Sequence, residues 1–129
     1  MTRDEARQFC DRWLPLWTGN QPAPLAGIYA EDVTYRDPAH PEGIRGREAL
    51  FRYFRALLSR NPAWTWTAQE IHLIDGGFTL LWKARIPAGG IVIEETGMDW
   101  VFVKDGQITR NEVYFDRSRL LAAMTGSRT

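Results

Sequence analysis

The 129-residue chain is 44% hydrophobic and 25% charged, which is typical of a globular protein, and we expect one domain spanning 1–129. Sixteen Lys and Arg residues balance sixteen Asp and Glu residues, so the chain lacks the basic excess with which proteins hold phosphate backbones. This argues against nucleic acid as a partner.

The compartment is indicated by the first thirty residues. The single cysteine, Cys10, allows no internal disulfide and fits a reducing environment. The N-terminal residues MTRDEARQF are charged and lack the apolar core of a signal peptide. The uncharged run from Trp13 to Ala30 is broken by three prolines and two glycines, so it does not predict a membrane span. We therefore expect a cytoplasmic protein without a membrane partner.

The first half of the chain is predicted to be mainly helical. Thr2 and Glu5 form a capping-box pattern, and apolar residues then recur at helical spacing as far as Trp17, with Pro15 expected to kink or end the helix. The elements that follow are a short helix over 24–30, an extended segment over 33–35, a loop rich in Pro and Gly, and a helix between Gly46 and Asn61. Four arginines lie off the apolar stripe of that helix and are predicted to face solvent: Arg47, Arg52, Arg55 and Arg60.

The second half of the chain predicts an antiparallel meander. Turn residues of hairpin type separate four runs of strand character: Trp64–Ile74, Phe78–Ile86, Ile91–Val103 and Gln107–Phe115. A final short helix is expected over Leu120–Met124, ended by Gly126. Helices followed by strands indicate an α+β fold, with the helices packed on one face of a curved sheet.

Both faces of the predicted sheet carry apolar residues. Alternation places Asp99 and Val101 on one face of the third strand, and Trp100 and Phe102 on the other. The helices can cover one face only, and large exposed apolar patches usually mark interfaces. We therefore expect a homodimer through the outer sheet face, unless the C-terminal segment folds over it.

The first strand of the predicted meander, Trp64–Ile74, is also assigned to the dimer interface. Trp64, Trp66 and His72 are expected to share one strand face, and His72 is assigned with the two tryptophans to the dimer interface.

Two carboxylates are candidates for chemistry. Asp37 ends an extended segment directly before Pro38, where it can be a general base or an Asx-type turn residue. Asp99 lies inside a predicted strand, where Asp is uncommon and costly to bury. It either faces a pocket with a raised pKa or is satisfied by a neighbour such as Arg85 or Asn111. Two carboxylates in one apolar cavity indicate an acid/base pair.

The sequence predicts neither a metal site nor a cofactor. Two isolated histidines, His40 and His72, and one cysteine form no metal-ligand cluster, and no Gly-rich phosphate loop follows a strand. His40 lies three residues beyond Asp37, where it shuttles protons, lies on a lid or belongs to an exposed loop.

Two stretches carry a resemblance to a known family. The first is YAEDVTYRDPAHPEGIRGREALFRYF and the second is GMDWVFVKDGQITRNEVYFD, which closes the predicted sheet. With the helical N-terminus, they resemble the nuclear transport factor 2-like superfamily in its SnoaL-like and ketosteroid-isomerase-like branches. The resemblance implies a cone-shaped curved antiparallel sheet packed around N-terminal helices, an interior pocket, and dimers formed through the outer face.

The ketosteroid isomerase pattern also implies roles for individual residues. Asp37 takes the position of that enzyme's general base, and Asp99 that of its protonated oxyanion donor. Trp13 stands where that enzyme has a tyrosine that is its other oxyanion donor, and it offers an indole N–H but no acidic O–H. Tyr29 and Phe54 fall near supporting aromatic positions.

The implied function is cofactor-free isomerase or lyase chemistry on a small, largely apolar carbonyl compound. Asp37 is the expected base, and Asp99 the acid or oxyanion donor. The alternatives are a binding module for a small hydrophobic molecule and a dimerisation domain whose cone is plugged by Trp13 and Trp82. From strand alternation and the resemblance, the ligand-binding candidates are Trp13, Tyr29, Tyr53, Phe54, Trp82, Ala84, Ile86, Val101, Asn111, Val113 and Phe115.

Overall fold

A computed structural model describes residues 1–124, and the predicted helix stop at Gly126 lies outside this range. The helices are α1 (Arg3–Trp13), α2 (Pro22–Gly27), α3 (Arg47–Arg60) and α4 (Ser118–Met124), with a 3₁₀ helix over Leu14–Trp17. The strands are β1 (Tyr29–Asp37), β2 (His40–Arg45), β3 (Thr65–Ile74), β4 (Gly77–Ala88), β5 (Ile91–Lys104) and β6 (Gln107–Tyr114).

Helix α1 begins and ends as its sequence predicts. The Thr2 hydroxyl accepts from the Glu5 amide at 3.1 Å, and the Glu5 carboxylate accepts from the Thr2 amide at 2.7 Å, which completes the capping box. The α-helix stops at Trp13, and the chain continues as a 3₁₀ helix with Pro15 near its start. Because proline has no amide hydrogen and crowds the preceding turn, it ends the α-helical ladder here.

The six strands form one curved, unclosed sheet in the order β2-β1-β6-β5-β4-β3. Strands β3 to β6 are the predicted antiparallel meander. Strand β1 joins the meander by parallel pairing with β6, so that Tyr35 lies opposite Asn111. The predicted α+β fold with helices against a curved sheet is confirmed, with this one parallel pair within it.

The segment between α2 and α3 differs from the prediction. The extended segment predicted over 33–35 is the middle of a nine-residue strand, β1, and the predicted loop forms β2. The short helix ends at Gly27 rather than at residue 30. Pro41 and Gly43 made β2 look irregular, but β2 is the outermost strand of the sheet. An edge strand tolerates proline because one side of its backbone needs no partner.

Two hairpin turns of the meander need backbone angles that few residues adopt. Both Gly89 and Gly90 have positive φ angles, as do Asp105 and Gly106. Paired positive φ values match the right-handed twist of the flanking strands, and this is why these residue types predict tight hairpins.

The dimer-interface assignment of Trp64, Trp66 and His72 is wrong for the two tryptophans, and the three do not share a face. Trp64, just before β3, is buried, and Trp66 is half-buried on the helix side of the sheet. The pairing register of β3 shifts between Ala68 and Glu70. A bulge of this kind inverts the alternation of side chains. His72 therefore points to solvent.

The outer sheet face carries exposed aromatic residues, as alternation predicts. Trp100 is 39% exposed and Tyr114 45% exposed, on neighbouring strands. The Arg110 guanidinium lies over the rings of Trp100 and Phe102, at 5.3 and 5.2 Å from their centroids. Its Nε donates to Glu112 at 2.7 Å. Over residues 1–124, no helix is both long and apolar enough to cross a membrane.

Candidate functional site

A cavity of about 310 Å³ lies between the sheet and the helices α1 and α3. Asp37 and Asp99 both line it, in walls that are otherwise mostly apolar. Trp13 and Trp82 are part of the wall and leave this volume open, so they do not fill the interior. The space suits a small ligand held by a few polar groups.

Asp37 stands at the corner between β1 and β2, and both of its carboxylate oxygens are occupied. Oδ1 accepts from the backbone amides of Ala39 and His40, at 2.9 and 3.0 Å. Oδ2 accepts from the hydroxyls of Tyr35 and Tyr53, at 2.8 and 2.6 Å. The first pair of bonds is the Asx-type turn, and the second pair fixes the carboxylate against the cavity wall.

Four donors meet the hydrogen-bonding capacity of one carboxylate. Asp37 is therefore rigidly oriented, and it can accept a further proton only when one donor moves away. Tyr53 is half-buried, whereas Tyr35 is buried. Burial chiefly, then the hydrogen bond to Asp37, raises the pKa of the Tyr53 hydroxyl, so this group stays a donor at neutral pH.

Asp99 lies deeper, in the middle of β5, with a relative exposure of 5%. Its Oδ1 accepts from the indole N–H of Trp82 at 2.7 Å, and its Oδ2 from the amide of Asn111 at 3.0 Å. Burial raises the pKa of Asp99 from its ordinary value of 3.8 to about 7. The bonds from Asn111 and Trp82 oppose this rise, and the charge of Asp37 adds to it. A carboxyl group of this kind can donate a proton near neutral pH.

A chain of hydrogen bonds supports Asp99 from behind. The Trp13 indole N–H donates to the Tyr29 hydroxyl at 3.2 Å, and that hydroxyl donates to the Asn111 side-chain oxygen at 3.0 Å. The N–H of Trp13 is thus engaged with the protein. This differs from the oxyanion-donor position that the resemblance implied for Trp13, and it makes the residue an indirect support of Asp99.

The structure divides the predicted ligand-binding residues into two groups. Those that line the cavity are Trp13, Tyr53, Trp82, Ile86, Val113 and Phe115. Those that lie behind the wall, in the buried core, are Tyr29, Phe54, Ala84, Val101 and Asn111. The second group is buried but does not line the cavity. For Asp99, the predicted neighbour Asn111 is a partner, whereas Arg85 pairs with Glu94.

Sequence reasoning missed a further set of cavity residues. They are Leu14, Trp17, Tyr35, Pro38, Ala39, Leu57, Arg60, Asn61, Trp64, Trp66, Arg117, Leu120 and Leu121. Alternation could have found Tyr35, which lies two residues before Asp37 on the same strand face. The bulge in β3 hid the direction of Trp66, and the residues after β6 belong to no repeating pattern.

Gly97 makes room for one support of the site. A Cβ atom at this position of β5 would lie 2.3 Å from Cζ2 of Trp82 and 2.8 Å from Cβ of Phe115. No side chain fits at such distances. A glycine inside a strand often marks a close approach of this kind, and that was an available signal. The indole of Trp82 reaches Asp99 because residue 97 has no side chain.

His40 and helix α4 border the site. The His40 ring packs edge-on against Tyr53, with centroids 4.5 Å apart, and its Nδ1 lies 3.5 Å from a Glu42 oxygen. Helix α4 is held against β5 where Arg119 donates to Glu95 at 2.8 Å. In the part of the chain that the structure describes, no three His, Cys, Asp or Glu residues are grouped as a metal site.

Comparison with known proteins agrees with this architecture. A family model for the SnoaL-like domain matches residues 7–111, most of the chain. The chain belongs to the SnoaL-like domain family. This family is part of the nuclear transport factor 2-like superfamily, so the resemblance seen in the sequence is confirmed.

Among proteins of this kind, one relative is a steroid Δ-isomerase from Nocardioides simplex. It is 27% identical over 113 residues, covering 86% of this chain and 89% of the relative. A ketosteroid isomerase-like protein from Catenulispora acidiphila, solved with trimethylamine, superposes with a TM-score of 0.80 at 20% identity, covering 95% of this chain and 97% of that one. TerC, crystallised with polyporic acid, superposes with a TM-score of 0.78 at 10% identity, covering 93% and 98%. At these identities the two structures show the fold alone.

Proposed function

We propose that this SnoaL-like protein is a cofactor-free acid/base enzyme of isomerase or lyase type, acting on a small, largely apolar carbonyl compound. The observation that carries the proposal is the pairing of two carboxylates in one apolar cavity. Asp37 is oriented by four donors, and Asp99 is buried with a pKa raised to about 7. Such a contrast between two carboxyl groups separates a base from an acid.

The proposed reaction begins with proton abstraction. Asp37 takes a proton from the carbon next to the carbonyl, and the electrons of the broken C–H bond move to the carbonyl oxygen. Protonated Asp99 donates a hydrogen bond to that developing oxyanion. Return of the proton to a different carbon gives an isomer, and loss of a leaving group gives a lyase product. Because the oxygens of Asp37 are filled, Tyr53 must release its bond during the first step.

Proton–deuterium exchange observed by NMR tests this proposal. A panel of ketones, including a 3-oxo steroid and smaller enones, is incubated in D₂O with the wild type and with Asp37→Asn. A general base contributes about 10²–10⁴-fold to such a step, so exchange should fall by that factor in the variant. The control variant is Arg55→Gln, on the solvent side of α3, with which the ketones should exchange their protons as fast as with the wild type. A change at Asn111 would not serve as a control, because its side chain bonds to Asp99. Exchange equal in wild type and Asp37→Asn contradicts the proposal.

A binding module without catalysis is the second candidate, and one observation favours it. The four bonds to Asp37 satisfy the carboxylate fully within the protein, which is the arrangement expected of a structural Asx turn. Under this alternative, ligands enter the cavity and move the indole N–H resonances of its tryptophans, while no ketone exchanges its protons. The same NMR samples therefore distinguish the two candidates.

We also propose a homodimer through the outer sheet face, where Trp100, Tyr114 and Met98 are exposed. Light scattering during size-exclusion chromatography should give about twice the 14.8 kDa mass of the chain, and Trp100→Glu should give the single mass. A monomeric wild type at micromolar concentration contradicts this assembly. The cytoplasmic location and the single-domain organisation stay predictions.

A further inference from the structure

Two arginines line the cavity on a side that is open to solvent. Arg60 is the last residue of α3 and is exposed, and Arg117 lies half-buried just before α4. Asn61 also lines the cavity, and its side-chain amide donates to the Leu57 carbonyl at 2.8 Å. We call Arg60, Asn61 and Arg117 the arginine end of the cavity.

Both guanidinium groups are available to a ligand. Arg60 donates through Nε to the Ala56 carbonyl at 3.2 Å, and among the described residues no side chain bonds to its two terminal nitrogens. Within residues 1–124, neither Arg60 nor Arg117 forms an ion pair with an acidic side chain. By contrast, Arg52, Arg85, Arg110 and Arg119 each pair with a glutamate.

The two positive charges act on the same part of the site. Burial and Asp37 raise the pKa of the Tyr53 hydroxyl, and the charges of Arg117 and Arg60 work against that rise. Both guanidinium groups are therefore within electrostatic range of Tyr53, although they come from different elements of the chain. Within residues 1–124, Asp37 forms an ion pair with neither arginine; its oxygens accept from tyrosine hydroxyls and backbone amides.

The two polar parts of the cavity lining thus differ in charge and exposure. The carboxyl of Asp99 is buried, most of the lining is apolar and aromatic, and the two arginines, which have no acidic partner within residues 1–124, are the more exposed part of the lining. Arginine is the residue that binds carboxylates with two parallel hydrogen bonds, and a neutral apolar ligand has no use for two such groups.

We infer that the ligand of this cavity is an apolar ketone that carries a carboxylate, and that Arg60 and Arg117 bind this carboxylate at the arginine end. The inference rests on the proposed function for the ketone end, which lies against Asp99. The inference narrows the proposed substrate class to keto acids, which would bind through the ketone at Asp99 and through the carboxylate at the arginine end.

A matched pair of ligands tests the inference. One is 4-(2-naphthyl)-4-oxobutanoate, and the other is its methyl ester, which keeps the ketone and the size but loses the charge. Dissociation constants are measured by NMR titration for wild type, Arg60→Gln, Arg117→Gln, the double variant and Arg55→Gln. Arg55 is the control because it lies on the same helix as Arg60 but packs over Phe51, away from the cavity. The indole resonance of Trp82 reports the cavity, and that of Trp100 reports the outer face.

We expect the acid to bind the wild type and Arg55→Gln roughly tenfold or more tightly than the ester, since charge-assisted bonds are about twice as strong as neutral ones. Each single variant should lose part of this preference, and the double variant should bind both ligands equally. Ester affinity should stay unchanged throughout. Equal binding of acid and ester by the wild type overturns the inference, as does a preference that survives in the double variant or a failure of both ligands to shift Trp82.

The outcome is separate from that of the proposed function. Binding preference needs the arginines and no catalysis, whereas exchange of the protons next to the ketone needs Asp37. If the acid is preferred and no exchange occurs, the inference stands and the proposed enzyme activity falls. If exchange occurs with equal affinity for acid and ester, the reverse holds.

Discussion

Asp37 and Asp99 are the same chemical group in two different settings. Asp37 is held at a strand corner by two backbone amides and two tyrosine hydroxyls, near two arginines. Asp99 is inside the sheet, with one indole and one amide as partners. The four donors around Asp37 stabilise a negative carboxylate better than the two donors around the buried Asp99 do. The number of donors and the depth, rather than the residue type, therefore distinguish the two carboxyl groups, and the proposed roles rest on this difference.

The largest expected effect that separates the two carboxyls is a pH dependence of stability. Because its pKa rises from 3.8 to about 7 on folding, Asp99 binds its proton more tightly in the folded chain. Its contribution to the free energy of unfolding is therefore present below pH 4, is lost as the pH rises to about 7, and changes no further above that. Each pKa unit is worth about 1.4 kcal/mol, so the loss reaches several kcal/mol.

Urea unfolding of wild type and Asp99→Asn between pH 4 and 8 measures this loss. The variant lacks the titrating group, so its stability relative to wild type should improve between pH 4 and about 7 and then stay constant. Parallel curves for the two proteins would show that Asp99 has an ordinary pKa in the folded chain.

A smaller effect is expected from Gly97→Ala. The added methyl group meets Trp82 at 2.3 Å, so the indole must move and its bond to Asp99 is lost. Overpacking of this kind costs about 1–3 kcal/mol. Gly27→Ala is the matched control, since its added Cβ has nothing within 4 Å. Thermal unfolding should show a lower midpoint for Gly97→Ala only. An unchanged midpoint would mean that the Trp82 support of Asp99 is dispensable.

The smallest expected effect is the difference between the two tyrosines that bind Asp37. Hydrogen bonds to charged groups contribute about 1.5–3 kcal/mol, and solvent replaces them more easily where the donor is partly exposed. Tyr35→Phe should therefore lower the free energy of unfolding more than Tyr53→Phe, because Tyr35 is buried and Tyr53 is half-buried. Urea titrations of both variants check the order. If Tyr53→Phe is the more destabilising, Tyr53 is not the donor that moves.

Most of the fold could be predicted from local sequence patterns. Alternation and hairpin turn residues predicted β3 to β6, and the capping box at Thr2 and Glu5 predicted the start of α1. The parallel pairing of β1 with β6 was not predictable in this way, since it joins residues about 80 positions apart and leaves no periodic signal. The strand β2 was not predicted because Pro41 indicates a loop unless the strand is known to lie at an edge of the sheet.

The candidate site was predicted in part. Asp37 and Asp99 drew notice because one precedes a proline and the other interrupts a strand, and the structure brings both to one cavity. The arginine end was not predicted. Arg60 reads as an ordinary solvent-facing residue of a helix, and only the path of the chain after β6 brings Arg117 to the same place. Such meetings depend on tertiary structure that no local pattern records.

The parallel pairing of β1 with β6 sets the order in which this molecule can be built. Antiparallel hairpins close over short loops within microseconds. Pairing of β1 with β6 instead requires closure of a long loop, whose entropic cost must be met before the contact stabilises the chain. The meander that carries Asp99 can therefore form from its own hairpins. The strand that carries Asp37 gains its neighbour only when β6 is in place. We therefore expect the two carboxyls to meet late in folding, and a chain synthesised through β5 but not yet through β6 contains both groups without the strand that lies between β1 and β5.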